Sequence, residues 1–394
     1  MHGGFYGIIA PPLEKTCYHI NLFPGFGGSE VYTRFFCKAF AELGWSVVLF
    51  VNPKARYWRS LDMHGARLVA VARPDEIISH LPAGRALVVD HSPGNEPFAA
   101  WLRARHLCVC VVYQPVYERD HAQYRPYRML WSISRHINAS LARAGLVPFH
   151  PEPLYGPGAA DRLAAASDGP VTAKSPYAWD ERKLRDRVLG VAQPWLARLA
   201  QARTYSRRPG LTLGIVSRIA GIKKFPELFA ILSPVIAKFP AVWLEVFGQG
   251  GYASVRDFKA SIAPIQDRAR FWGHQDDVGR VYPLIDYLVT GMPEREGLGL
   301  NAIEAWHYGT PVLAPDAPPF DETVFPGKTG FLYTDPRKDR GAGFERLLAR
   351  LVAAPARIDP LQAADCLREF SYPRFVERLQ AALERLPEPQ ARAA

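Results

Sequence analysis

Residues 18–51, YHINLFPGFGGSEVYTRFFCKAFAELGWSVVLFV, decide the fold class. Tyr18–Phe23 reads as an apolar strand running into a glycine-rich turn, Pro24–Gly28. From Ser29 to about Leu43 apolar residues recur at helical spacing, with Ser29 or Gly28 as the cap and Gly44 as the stop. Ser46–Val51 is then almost wholly apolar, the pattern of a strand in a parallel sheet covered on both faces. Working outward, strands are expected at Arg67–Ala72, Ala86–Asp90 and Leu107–Tyr113, with helices between them, and another strand–helix unit fills Met129–Phe149. This alternation predicts a doubly wound α/β domain.

A second series repeats the pattern. Strands are expected at Leu211–Ser217, Val242–Phe247, Arg270–Trp272 and Asp286–Thr290, and helices at Phe225–Phe239, Tyr252–Ile262 and Val278–Tyr282. Strands from Thr310 to Ala314 and at Gly330–Tyr333 close this sheet, and helices follow at Phe344–Ala353, Pro360–Phe370 and Arg374–Leu386. Between Pro151 and Pro209 proline, glycine and alanine are frequent, so this is read as a connecting region with Ala200–Gly210 as the linker. The tail EPQARAA reads as frayed. Two Rossmann-like halves, residues 1–205 and 206–371, place the expected site in a cleft beyond the carboxyl ends of their strands.

The chain of 394 residues is 48% hydrophobic and 12% aromatic, which suits a packed protein of two domains. Its formal charge of +10 favours anionic partners: phosphates, an anionic membrane surface or nucleic acid. Cys17, Cys37, Cys108, Cys110 and Cys366 show no CxxC spacing and read as free thiols of a reducing compartment. The start, MHGGFYGIIAPPLEK, lacks a signal-peptide pattern, and no stretch approaches the roughly 18 apolar residues of a spanning helix. The expectation is a cytoplasmic protein, free or peripheral on the inner face of the cell membrane. Arg182, Lys183, Arg185, Arg187, Arg207 and Arg208 would meet the lipid, unless they are solvated helix faces.

The chemistry concentrates in Pro293–Pro315, PEREGLGLNAIEAWHYGTPVLAP. Glu296 and Glu304, with seven residues between them, bracket Gly297, Leu298, Gly299 and Leu300, and a helix is expected over Asn301–His307. A glycine turn feeding a helix start offers backbone N–H groups to an anion, and flanking carboxylates accept hydrogen bonds from sugar hydroxyls. Arg218 leaves the strand Leu211–Ser217, and Lys223 and Lys224 follow; cations five residues apart can clamp a diphosphate. Taken alone, that segment reads equally as a solvated basic loop. In the first half Gly27, Gly28 and Ser29 stand at a helix start without the GxGxxG spacing of a dinucleotide fold, which argues against a dehydrogenase.

Together SRIAGIKKF and EGLGLNAIEAWHYGTPVLA resemble the phosphate loop and the E-x7-E signature of the GT-B retaining glycosyltransferases of family 4. VWLEVFGQG, RFWGHQDDVGRVY and PFDETVFPGKTGFLYTD extend the match over about Leu211–Asp335. The resemblance implies an acceptor-binding first domain, with the last helix (about 372–386) packing back onto it, and a second domain that binds a UDP- or GDP-sugar. It implies that Arg218 and Lys223 hold the donor diphosphate, and leaves open which of Lys223 and Lys224 reaches the phosphates, since relatives often carry glycine at the latter. Glu296 would bind the donor sugar, Glu304 the ribose, the N–H groups of Leu298–Leu300 sugar and phosphate oxygens, and His274 would lie beside the base. Gly27 and Gly28 would approach diphosphate and acceptor. Leu298 replaces the usual phenylalanine, and Gln114 stands where relatives often carry a sugar-binding histidine, a role His91 is placed to take over. No DxD motif is present, and neither a metal nor a cofactor is implied. The acceptor would be a glycan, a lipid-linked glycan or another hydroxyl.

Two alternatives stay in view. A sugar-nucleotide 2-epimerase shares the fold, but would show carboxylates and histidines suited to proton abstraction in place of the E-x7-E loop. A basic nucleic-acid-binding protein would show a helix-turn-helix, RNP or zinc-ligand pattern, and the sequence has none.

Overall fold

The computed structural model describes residues 15–94, 96–117, 121–146, 148–157, 169–178, 203–354 and 358–386. The start of the chain (1–14), the basic segment that includes Arg182, Lys183, Arg185 and Arg187, and the tail 388–394 lie outside these residues.

The chain divides into two compact units, residues 1–156 with 373–394, and residues 157–372. The first holds a parallel sheet of six strands: β1 (Thr16–Asn21), β2 (Ser46–Val51), β3 (Arg67–Ala70), β4 (Leu87–Asp90), β5 (Leu107–Val112) and β6 (Met129–Ser132). Their spatial order is β3-β2-β1-β4-β5-β6. Every residue of β5, LCVCVV, is buried, as strands covered by helices on both faces require. The five cysteines are free and buried, and burial pushes the Cys37 thiol up to about 12.

The helix Gly28–Glu42 covers this sheet with Tyr32, Phe35 and Phe36, all fully buried. Against them lies Phe375 of the helix Tyr372–Glu384, with its ring centroid 5.2 Å from Phe36 and 6.4 Å from Tyr32. Arg378 of that helix is 2% exposed and donates to Glu152 at 3.1 Å. The carboxyl-terminal helix is thus built into the core of the first unit. Phe375→Ala is expected to cost about 3 kcal/mol, the usual loss for a large aromatic deleted from a close-packed core. Urea or thermal unfolding reads that cost; an unchanged midpoint would show that the helix contributes nothing to the unit.

The second unit repeats the design with β7 (Leu211–Val216), β8 (Val242–Phe247), β9 (Ala269–Gly273), β10 (Tyr287–Val289), β11 (Val312–Pro315) and β12 (Gly330–Tyr333). Its order, β12-β11-β10-β7-β8-β9, is the same 3-2-1-4-5-6 arrangement read from the other edge. In such a sheet the crossovers part on either side of one strand pair, and the crevice opened there is where ligands bind. That pair is β1 and β4 in the first unit, β7 and β10 in the second.

The structure corrects several expectations. The division falls after Gly156 and not at 205–206, because the described parts of the connecting region are tied to the second sheet. Lys174 N–H donates to Trp272 O at 2.9 Å, Ala178 N–H donates to Gly250 O at 2.8 Å, and Thr172 bridges Thr204. Arg207 and Arg208 are not a lipid-facing surplus: Arg207 pairs with the Asp286 carboxylate and Arg208 with Glu245 at 3.1 Å, and both acids are 1% exposed. The expected helix Val278–Tyr282 is two 3-10 turns, Val278–Arg280 and Tyr282–Leu284. Asp277 caps the first by accepting from Gly279 N–H at 3.0 Å, and Pro283 has no N–H to continue a helix. Pro360–Phe370 likewise divides into a turn, Pro360–Gln362, and a helix, Ala364–Glu369. Among the described residues no helix is long and apolar enough to cross a membrane.

Candidate active site

The loops leaving β7 and β10 meet at the switch point of the second sheet. After β7 the chain passes Ser217 and Arg218, and Ile219 anchors it by burial and by donating its N–H to Gln249 O at 2.9 Å. A 3-10 turn, Gly221–Lys223, follows, and Lys224 takes a left-handed conformation (φ 50, ψ 34) before the helix Phe225–Ala237 begins. That backbone favours glycine, which accounts for the residue relatives often carry there. The turn sends the two lysines apart. Lys223 Nζ pairs with Glu296, while Lys224 Nζ reaches Glu294 at 3.4 Å and Glu227 at 3.5 Å.

The loop after β10 is drawn against this turn. Met292 N–H donates to Lys223 O at 3.0 Å, and a Cβ at Gly291 would sit 2.6 Å from that same oxygen. Only glycine allows so close an approach, and it sets Glu296 beside Lys223. One Glu296 oxygen takes the lysine; the other accepts the Gly299 N–H at 3.1 Å. Gly299 (φ 82, ψ 54) then opens the helix Leu300–His307, which has no side-chain cap. The N–H groups of Leu298, Leu300 and Asn301 donate to no described residue. The Lys223 and Glu296 side chains are 20% and 14% exposed, a half-dry setting in which charge pairing is weakly screened. Arg218 is exposed, and its guanidinium forms no hydrogen bond or ion pair among the described residues.

Glu304 lies one helical turn further on and accepts the Tyr282 hydroxyl at 2.9 Å. On the outer side Arg337 ties Glu294 and Asp335 together, and its guanidinium holds the Asp335 carboxyl below the usual carboxylate range.

Lys223, Glu296 and Gly297–Leu300 therefore come together, with Arg218 on the same loop as Lys223 and Glu304 on the helix they open. The Gly299 N–H is already engaged by Glu296, so Leu298 and Leu300 carry the unpaired donors expected of this turn. His274 follows the edge strand β9, is exposed, and contacts Asp276 at 3.5 Å.

The remaining expected residues belong to the first unit. His91 is 4% exposed, with its ring nitrogens 2.8 Å from His19 Nδ1 and 2.6 Å from the Tyr113 hydroxyl. Burial lowers His19 to about 3 and His91 well below its usual value, so both rings are neutral core groups. His91 is thus no replacement for a sugar-binding histidine. Gln114 is exposed on the loop leaving β5. Gly27, extended at φ −171, caps the helix that Gly28 begins, and the preceding loop is tied down by Tyr57, whose hydroxyl donates to Gly25 O at 2.8 Å. Sequence reading missed Glu30, fully buried in the first turn of this helix. It accepts from Ser29 Oγ at 2.7 Å, and burial pushes its carboxyl up. A carboxylate already stands at that positive helix end, which competes with any diphosphate there.

Comparison with known proteins bears on the segment and on the fold that carry these loops. Residues 210–350 match the family model described as "Glycosyl transferases group 1". No curated protein matches the chain. Among solved structures it is similar to Anabaena Alr3699/HepE in complex with UDP-glucose, at 16% identity, over 94% of this chain and 99% of that one, with a TM-score of 0.67. Sucrose-phosphate synthase from Thermosynechococcus elongatus is similar at 17% identity, with coverage of 94% and 98% and a TM-score of 0.64. The lipopolysaccharide outer core galactosyltransferase WaaB is similar at 15% identity, with coverage of 94% and 99% and a TM-score of 0.60. The loops that carry Arg218, Lys223, Glu296 and Glu304 lie inside a glycosyl transferases group 1 segment, and the chain is a glycosyltransferase of the GT-B fold.

Proposed function

We propose that this is a retaining glycosyltransferase of the family 4 type, which moves a hexose from a nucleoside diphosphate sugar to a hydroxyl of a glycan or lipid-linked acceptor without a metal. The observation that carries the reading is the arrangement of Lys223, Glu296 and the Gly299 N–H at the switch point, beside an unpaired Arg218. Fixed cations and a helix start aimed at a diphosphate stabilise the charge of its departure, the task a divalent ion performs elsewhere. UDP is the first nucleotide to test, since HepE is similar in fold and its complexes hold UDP and UDP-glucose.

In this mechanism Arg218 and Lys223 neutralise the diphosphate as the C1–O bond to phosphate breaks. The acceptor oxygen bonds to C1 on the same face, and its proton passes to the leaving phosphate oxygen, so no protein nucleophile is needed. Glu296 orients the sugar and stabilises the developing positive charge, and Glu304 binds the ribose. Lys223, not Lys224, reaches the phosphates, because Lys224 is turned toward Glu294 and Glu227.

UDP, GDP or ADP at a hundredfold excess over its Kd should raise unfolding stability by about 2.7 kcal/mol. A thermal scan with each nucleotide checks this, and the donor sugars of the best base follow. If none of the three moves the transition, the donor site is wrongly assigned.

A further inference from the structure

We propose that Tyr282 is a positioning residue that sets the enzyme's preference for a ribonucleotide donor, acting through the Glu304 carboxylate. The inference rests on the reading of Glu304 as the ribose partner. The Tyr282 side chain is fully buried, and its hydroxyl lies 2.9 Å from Glu304 and 3.3 Å from Asn301 O. Its position is over-determined. Thr310 Oγ1 donates to the Tyr282 carbonyl at 2.7 Å, and the Tyr308 ring stacks on the tyrosine at 5.7 Å with an interplanar angle of 15°. Tyr308 is itself fitted against Gly279, where a Cβ would come within 2.8 Å of the ring. Tyr282 opens the second 3-10 turn ahead of β10, whereas Glu304 belongs to the helix after that strand, so the hydrogen bond ties the carboxylate to a segment outside its own helix.

A glutamate has three side-chain torsions, and on a helix surface its carboxylate samples many directions. A hydroxyl held on both sides removes that freedom before the nucleotide arrives. The carboxylate is then presented to the vicinal ribose hydroxyls at little entropic cost, and a donor lacking one of them leaves it poorly paired. The phenol donates to the carboxylate and contacts no donor atom itself.

The test is Tyr282→Phe, which deletes the hydroxyl and keeps the ring. Affinities are measured for whichever of UDP, GDP and ADP stabilises the protein most, and for its 2′-deoxy counterpart, in wild type, Y282F, E304Q and the double variant. Y282F should weaken the ribonucleotide about tenfold, the worth of one hydrogen bond to a charged group, and leave the deoxynucleotide unchanged. The double variant should bind like E304Q alone, since the tyrosine acts only through the carboxylate. If E304Q loses the ribose preference while Y282F keeps it, the proposal falls and the Glu304 reading stands. Equal binding of ribo- and deoxynucleotide by the wild type would overturn both. Should Y282F fold poorly, seen as a lowered ligand-free melting temperature, Tyr308→Leu, which removes the stacked ring and keeps the Tyr282 hydroxyl, is the second probe: it must also reduce the ribo-to-deoxy ratio, and an unchanged ratio overturns the proposal.

Discussion

Glu296→Ala is expected to lower kcat/KM for sugar transfer by about a thousandfold, ~4 kcal/mol of transition-state stabilisation, with the fold intact. The expectation follows from what the carboxylate holds. It is the shared acceptor of Lys223 and the Gly299 N–H, so it fixes both the phosphate-loop cation and the glycine that starts the helix. Without it Lys223 loses its partner and the turn loses an internal hydrogen bond, a stability cost of about 1–2 kcal/mol that leaves the unit folded. Glu296→Gln separates the two duties: an amide oxygen can still accept from Gly299, but carries no charge to oppose that developing on the sugar. Its transfer rate should fall nearly as far, while its stability should fall by only part of the alanine cost, since the amide keeps the Gly299 hydrogen bond and loses the Lys223 ion pair. Turnover near wild type in either variant would remove Glu296 from the chemistry.

The parts of this picture that were legible beforehand are those written locally. The apolar runs of β2, β5 and β8, the glycine stops and the alternation of strand with helix are properties of neighbouring residues, and they gave both sheets. The glycines around Leu298 and the cations after β7 were readable for the same reason. What escaped the sequence depends on partners far apart in the chain. Lys223 and Glu296 are 73 positions apart, and nothing in SRIAGIKKF says which lysine turns inward; the left-handed backbone of Lys224 decides it. Arg207 and Arg208 looked like surplus charge because their partners are 79 and 37 residues away: Asp286 just ahead of β10 and Glu245 within β8. Tyr282 fell inside a misread helix, and its use is visible only once Glu304 is placed opposite. His91 failed in the other direction: DHSPG is a plausible ligand loop on paper, but its strand carries the histidine inward to His19 and Tyr113.

Arg218→Ala provides the complementary expectation, because Arg218 and Lys223 are assigned one task but sit in different surroundings. Arg218 is exposed and its side chain is bound to no described residue, so its removal should change unfolding stability by less than about 0.5 kcal/mol. Sugar transfer should nevertheless fall by two to three orders of magnitude, roughly the effect of losing one charged donor from a diphosphate clamp. Nucleotide-induced stabilisation should shrink in the same variant, more for a diphosphate than for the nucleoside. Arg218→Lys should recover only part of the loss, since an ammonium cannot engage two phosphate oxygens in a fork. Lys223→Ala should behave differently in the absence of ligand: it strands the partly buried Glu296 carboxylate and should cost about 1–3 kcal/mol of stability besides activity. A pair of variants equal in lost transfer but unequal in stability is therefore the expected signature. If Arg218→Ala transfers sugar normally, the diphosphate is held elsewhere; if it is destabilised as much as Lys223→Ala, Arg218 holds the fold and not the donor.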